Sequence, residues 1–391
     1  MPTDIKSLTR DELEAQFAAW ALPGYRVKQV MDWLYVKRAT SFEAMSNLPK
    51  ALREQLQREY TLQTLTLVRK QGSRDTTQKF LWRLADHALI ESVLIPANPS
   101  LYGAASDRHT LCLSTQVGCA HGCKFCASGL KGWKRNLLPH EMVEQVLGVE
   151  RYCADEAVAA PAVTSGSVAV EAPPAILSPR NPGRAFPSER AVDNIVVMGM
   201  GEPFANYDQL MKALRLLNSP WGGRIGARKI TVSTSGLAPQ IRQFADEPEQ
   251  FSLAVSLHGA TDAVRGQIMP VNRKYPLQEL VAALDYYQAK RGRMITFEYI
   301  LIAGVNDALD QVKPLAALAR RLKAKVNLIP YNTVEGLSWQ RPSDSVCEKF
   351  LLLLKAQKVV CTLRREKGHD IDAACGQLRL KTERELETAK S

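Results

Sequence analysis

Three cysteines stand close together in Gly118-Cys119-Ala-His-Gly-Cys123-Lys-Phe-Cys126, spaced by three and then two residues. Thiolates at that spacing reach three corners of a cubane from one short loop, and Gly118 and Gly122 ease the tight backbone. A [4Fe–4S] cluster ordinarily takes four cysteines. Three leave one iron open, and an open iron chelates the amino and carboxylate groups of S-adenosylmethionine. Electron transfer through that contact breaks a carbon–sulfur bond and yields a 5′-deoxyadenosyl radical, chemistry that a protein positions rather than invents. A zinc site with three thiolates and His121 or a distant ligand is the competing reading. Structural zinc sites, however, pair two short hooks, and no second hook occurs in this sequence.

The elements that must position this loop can be read from hydrophobic period. Apolar runs at Thr110–Ser114, Asn194–Met198, Lys229–Ser233, Ser252–Leu257, Thr296–Leu301, Lys325–Pro330 and Val359–Leu363 predict strands. Between them, Pro139–Tyr152, Tyr207–Leu217, Leu277–Arg291, Asp310–Leu322 and Ser343–Lys358 predict helices. Repeated strand–helix order makes this an α/β chain with a partial (β/α) barrel, whose chemistry gathers at the C-terminal ends of the strands. The cysteine loop follows the first such strand. The later ends read Met-Gly-Met-Gly201-Glu202-Pro, Ser233-Thr-Ser-Gly, Ser256-Leu257-His258-Gly and Pro-Tyr-Asn332. Polar groups thus close strands that are otherwise apolar.

The remaining segments divide accordingly. Residues 1–62 read as helices, with a Thr9/Glu12 capping box, Leu13, Phe17 and Trp20 on one face, and Val27, Val30, Met31 and Leu34 inward on a second. Arg26, Lys28, Lys37 and Arg38 are left to solvent, which suits an accessory RNA-binding unit. Residues 63–100 read as a β-hairpin extension, 101–345 as the barrel and 346–391 as a C-terminal segment. Residues 157–190 are rich in Ala, Pro, Val and Ser without a stable period and read as a disordered insertion.

Composition restricts the setting. No run of eighteen apolar residues occurs, which predicts no membrane-spanning helix, and the N-terminus lacks the pattern of a signal peptide, so a cytoplasmic protein is expected. A formal net charge of +11 favours a polyanionic partner, because neutralised phosphates release counterions. Eight cysteines in a reducing compartment point to metal or catalysis rather than to staples, and four of them fall between positions 112 and 126.

Taken together, the motifs resemble the radical S-adenosylmethionine RNA methyltransferases of the RlmN/Cfr type, and RlmN more than Cfr. The features are Thr110-Leu-Cys112, the cysteine loop with Lys134-Arg-Asn-Leu137, Met198-Gly-Met-Gly-Glu-Pro203, Ser233-Thr-Ser-Gly236, Ser256-Leu-His258 and Gly368-His-Asp-Ile-Asp-Ala-Ala-Cys375-Gly-Gln-Leu378. The resemblance implies methylation of adenine C2 in 23S ribosomal RNA and also in tRNA, with C8 as the Cfr-type alternative. It implies a [4Fe–4S] cluster on Cys119, Cys123 and Cys126, and two molecules of S-adenosylmethionine per turnover. Gly201, Glu202, Ser233, Ser256, Leu257, His258 and Asn332 would contact that cofactor. Cys375 would carry the methyl group, Cys112 would capture Cys375 as a disulfide when product leaves, and Glu91 would accept the C2 proton. A flipped or unpaired adenine, an electron donor such as flavodoxin or ferredoxin, and a monomeric enzyme complete the expectation. Cys153, Cys347 and Cys361 are expected to be buried apolar residues.

Overall fold

A computed structural model describes residues 2–73, 77–96, 109–159, 190–364 and 376–388. The N-terminal apolar positions repeat at helical spacing and fold into α1 (Arg10–Ala19), α2 (Tyr25–Met31) and α3 (Lys50–Glu59). The capping box forms: Thr9 Oγ1 accepts the Glu12 N–H at 3.2 Å, and Glu12 Oε2 accepts the Thr9 N–H at 2.7 Å. Two donors that the helix leaves open are thereby satisfied. Leu13, Phe17, Val27, Val30, Met31, Leu34, Leu52 and Leu56 are buried among one another.

The sheet begins with β1 (Thr66–Gly72), β2 (Gln78–Arg83) and β3 (Leu89–Pro96), which run antiparallel and pass to β4 (His109–Cys112). Next in the chain, β5 (Gln116–Gly118) and β6 (Trp133–Asn136) pair only with each other and frame the cysteine loop. From β4 the large sheet continues through β7 (Asn194–Val197), β8 (Ile230–Thr234), β9 (Ser252–Ser256), β10 (Thr296–Leu301), β11 (Lys325–Pro330) and β12 (Cys361–Leu363). Every neighbouring pair from β4 onward is parallel. Parallel neighbours need crossovers, and helices supply them. These are α4 (Pro139–Ala159), α5 (Tyr207–Asn218), α6 (Ala238–Asp246), α7 (Asp262–Ile268), α8 (Leu277–Arg291), α9 (Val312–Arg321) and α10 (Asp344–Ala356), with α11 (Gln377–Thr388) last. Leu253, Ala254 and Val255 are buried in succession along β9, as expected of a parallel strand covered on both faces. The result is a partial barrel extended at one edge by the antiparallel hairpins.

The N-terminal helices are docked on α4. Lys6 pairs with Glu144 at 2.9 Å with both side chains buried, Ser7 Oγ lies 3.1 Å from His140 Nδ1, and Arg38 bonds Glu150 at 3.0 Å. Arg38, expected to face solvent, is therefore committed to the barrel; Lys28 and Lys37 are exposed.

Other differences are local. Helix α4 runs to Ala159 instead of ending at Tyr152. Helix α6 adds to the expected elements, and α7 and the β5–β6 pair are too short to impose a period on the sequence. Most of the expected insertion lies outside the described residues. Just after it, Glu150 accepts the N–H groups of Ala191 and Val192 at 3.0 Å each. Among the described residues, no helix is long and apolar enough to cross a membrane.

Candidate active site

The cysteine loop is closed at its neck by β5 and β6. Gly118 adopts φ +81°, and a Cβ there would lie 2.0 Å from the Gly132 carbonyl oxygen, so the two strands approach only because the residue is glycine. The Cys119 N–H donates to that same oxygen at 3.2 Å, and the Cys126 N–H donates to Cys123 O at 3.1 Å. Four contacts seat the loop on the barrel. The Lys124 N–H donates to Ile268 O at 2.9 Å, and Trp339 Nε1 donates to Lys124 O at 2.9 Å. His121 Nδ1 lies 3.1 Å from Ser235 Oγ, and the Phe125 ring meets the His258 ring edge-on at 4.8 Å.

Burial pushes the Cys119 thiol up to about 12 and the Cys123 thiol well above its usual range; the neighbouring cysteines and Glu202 add to both shifts. Three crowded thiols beside a carboxylate cannot all ionise without a compensating cation. Iron supplies that compensation, so the donor set fits a cluster. Among the described residues, no group of three His, Cys, Asp or Glu side chains is arranged to hold a single metal ion. Thiols that serve separate corners of a cubane need not converge on one point.

The strand ends open on the same cleft. Cys112, Cys119, Cys123, Cys126, Gly201, Glu202, Ser233, Ser256, His258 and Asn332 all line it. Glu202 follows β7 and is 4% exposed, yet both its oxygens are satisfied: Oε1 accepts from Thr234 Oγ1 at 2.8 Å and from the Phe204 N–H at 3.1 Å, and Oε2 accepts the Ser235 N–H at 2.7 Å. A buried carboxylate with three donors is held in one orientation. Ser233 and Ser256 close β8 and β9 with their hydroxyls 3.5 Å apart. His258 Nδ1 accepts the Ile300 N–H at 3.0 Å, which assigns the ring proton to Nε2. Burial, with a smaller contribution from Arg265, pushes His258 down to about 3, so the imidazole is neutral. Cys112 ends β4, opposite Val93 on β3 and Val196 on β7.

Two predicted residues sit elsewhere. Leu257 is buried behind the cleft wall, where its carbonyl accepts from Arg265 Nε at 3.1 Å. Glu91, on β3, is also buried within the wall. Its Oε2 accepts the Gly376 N–H at 2.8 Å and lies 3.2 Å from Lys79 Nζ, and its Oε1 accepts the Arg379 N–H at 2.7 Å. Glu91 thus caps the start of α11 through Gly376, the residue after Cys375. Cys375 itself lies outside the described residues. Cys153, Cys347 and Cys361 are buried and do not line the cleft.

The sequence reading missed several residues. Gln116 Oε1 accepts the N–H of Glu202 at 2.9 Å and that of Ala120 at 3.3 Å, joining β7's end to the cysteine loop. Glu298, on β10, lines the cleft with its carboxyl pushed up by burial and with Asn327 Nδ2 donating to it at 3.0 Å. Thr234 and Ser235 lay within a motif already noted. Gln116, Glu298 and Arg265 sit in no distinctive pattern, and only folding brings them to the site.

Known proteins give this geometry a family. Residues 3–62 match the sequence model of the ribosomal RNA large subunit methyltransferase N-terminal domain, and residues 171–313 match that of the radical SAM superfamily, beyond the cysteine loop itself. The chain is 52% identical over 377 residues to the Opitutus terrae protein named "Probable dual-specificity RNA methyltransferase RlmN 3", covering 96% of this chain and 94% of that one. It is 47% identical over 381 residues to the Akkermansia muciniphila protein named "Probable dual-specificity RNA methyltransferase RlmN", with 97% and 96% covered. Its fold superposes on a radical SAM methyltransferase from Sphaerobacter thermophilus with a TM-score of 0.82 and 42% identity, over 96% of this chain and 99% of that one. With near full-length identity to such relatives, and three thiols set at the C-terminal face of a partial barrel, the chain belongs to the RlmN family of radical S-adenosylmethionine RNA methyltransferases.

Proposed function

We propose that this protein methylates C2 of an adenine in 23S ribosomal RNA and in tRNA, with Cys375 as the methyl carrier. The observation that carries the reading is the meeting of Cys112, the three loop cysteines and the polar strand ends in one cleft. When bound, the [4Fe–4S] cluster and S-adenosylmethionine supply a 5′-deoxyadenosyl radical. An amidine carbon such as C2 is not nucleophilic, which is why simple displacement on S-adenosylmethionine would not suffice.

The chain's own residues orient and protect. Cys119, Cys123 and Cys126 would hold the cluster. Glu202, fixed by three donors, would offer the one lone pair left on Oε2 to an ammonium group. His258, neutral with its proton on Nε2, offers a hydrogen-bond donor, and Ser233, Ser256 and Asn332 offer hydroxyl and amide groups beside it. Cys112 faces the cleft, where it would form the disulfide with Cys375 that frees the product. Glu91 would accept the C2 proton; its bond to Gly376 keeps it one residue from Cys375 along the chain. RNA would be gripped through its backbone by the basic surface, and the electron would come from flavodoxin or ferredoxin. The enzyme would act as a monomer in the cytoplasm.

Mass spectrometry of nucleosides from isogenic strains with and without the gene tests this. Loss of 2-methyladenosine from both ribosomal and transfer RNA is expected. Loss confined to ribosomal RNA would remove the tRNA half, loss of 8-methyladenosine would reassign the carbon, and no change in either would overturn the substrate.

A further inference from the structure

Arg265, on α7, is with Arg379 one of two fully buried arginines among the described residues, and its partners are unusual for a helix residue. Its guanidinium donates from Nε to Leu257 O at 3.1 Å, from one terminal nitrogen to Asn272 Oδ1 at 2.7 Å, and from the other to Ser235 O. Ser235 follows β8, and Leu257 follows β9. One rigid fork therefore ties together the ends of two adjacent parallel strands, a geometry that arginine can supply and lysine cannot.

The same residues brace the cysteine loop. Ser235, whose carbonyl Arg265 holds, contacts His121 through its hydroxyl, and His258, next after Leu257, packs against Phe125. Ile268, at the end of the helix that bears Arg265, accepts the Lys124 N–H. Each non-cysteine contact of the loop with β8, β9 and α7 thus falls on an element that Arg265 fastens. Packing there is close: a Cβ on Gly259 would lie 2.5 Å from the Arg265 backbone nitrogen. A single residue, Ser235, thus separates the guanidinium from His121 of the cysteine loop.

We propose that Arg265 is a positioning residue that locks the β8 and β9 ends against the cysteine loop and places a buried positive charge beside the cluster. The proposal rests on the cluster assignment above and adds to it a residue that binds neither iron nor substrate. Burial lowers Arg265 to about 10, which leaves it charged at neutral pH. A fixed cation near an iron–sulfur cluster stabilises the reduced, more negative state and so raises the reduction potential.

The test compares the reconstituted holoenzyme with Arg265→Gln and Arg265→Lys, with iron content, an EPR-monitored redox titration and the Kd for S-adenosylmethionine as readouts. The neutral Gln variant is expected to show a midpoint potential shifted negative. The Lys variant should keep the wild-type potential, because it keeps the charge. Both should bind S-adenosylmethionine at least tenfold more weakly, because neither bridges both carbonyls. If Arg265→Gln fails to fold, the Lys variant alone decides: wild-type affinity would overturn the clamp. A folded Gln variant with full iron content and an unchanged potential would overturn the electrostatic role. A wild-type protein without any cluster would instead remove the reading on which the proposal stands.

Discussion

The Glu91 carboxylate on β3 accepts the backbone N–H of Gly376 at 2.8 Å, and so fixes the chain one residue after Cys375 to the wall of the cleft. The Arg379 N–H and the Lys79 ammonium complete its surroundings. A helix start presents unsatisfied N–H groups, and a carboxylate there both satisfies donors and meets the positive end of the helix dipole. The same residue is also the proposed proton acceptor, so its structural and chemical roles must be separated by experiment.

Glu91→Gln leaves a neutral group facing a buried ammonium, and it should destabilise the protein by about 3 kcal/mol, the cost of breaking one side of a buried ion pair. Adding Lys79→Met removes the ammonium that faces it and should restore part of that loss in chemical denaturation. If the carboxylate takes the C2 proton, the double variant should remain inactive and accumulate the protein–RNA adduct. Recovery of turnover together with stability would assign Glu91 to structure alone.

Cys112 ends β4 and lines the cleft with the three loop cysteines. Replacing it with Ala should leave the fold intact, because alanine removes only one buried sulfur at a strand end. Methyl transfer should stop with RNA covalently bound to protein, visible as a slow band on a denaturing gel that ribonuclease collapses. Freely released, fully methylated RNA would refute this role.

Gly118→Ala introduces a Cβ 2.0 Å from the Gly132 carbonyl at a backbone angle that L-residues resist. Strain of this kind costs on the order of 1–3 kcal/mol. The variant should lose iron before it loses the barrel: the iron-to-protein ratio should fall sharply while far-UV circular dichroism changes little.

His258 is held neutral by burial, with its pKa pushed down to about 3 against 6.5 for the free ring. The unfolded chain therefore binds a proton that the folded one refuses. The resulting stability is complete above pH 6.5 and is lost as pH falls towards 3, with a slope of about 1.4 kcal/mol per pH unit in that window. In cluster-free protein, His258→Gln should flatten the acid side of the stability profile by that slope, while His140, lowered by the same kind of burial, titrates in both forms. Parallel profiles for the two proteins would contradict the assignment.

Much of this was written in one dimension. The Cys-x3-Cys-x2-Cys loop needs only local spacing to offer three thiols. The strands at Thr296–Leu301 and Lys325–Pro330 and the helix at Leu277–Arg291 fall where apolar period places them, because burial of one face is a property of contiguous residues. The polar strand ends were legible for the same reason, once a barrel implied that they would meet.

What the tertiary structure decided are relations between distant segments. Glu91 meets Gly376 across 285 positions, and Arg38 crosses 112 positions to Glu150 instead of facing water. Arg265 reaches backwards to Ser235 and Leu257 from a helix of seven residues, too short to announce itself by period. A buried charge is stable only where the fold gathers donors or acceptors around it. Neighbours in the sequence cannot reveal that gathering, because it is made by the packing of strands and helices that lie far apart along the chain.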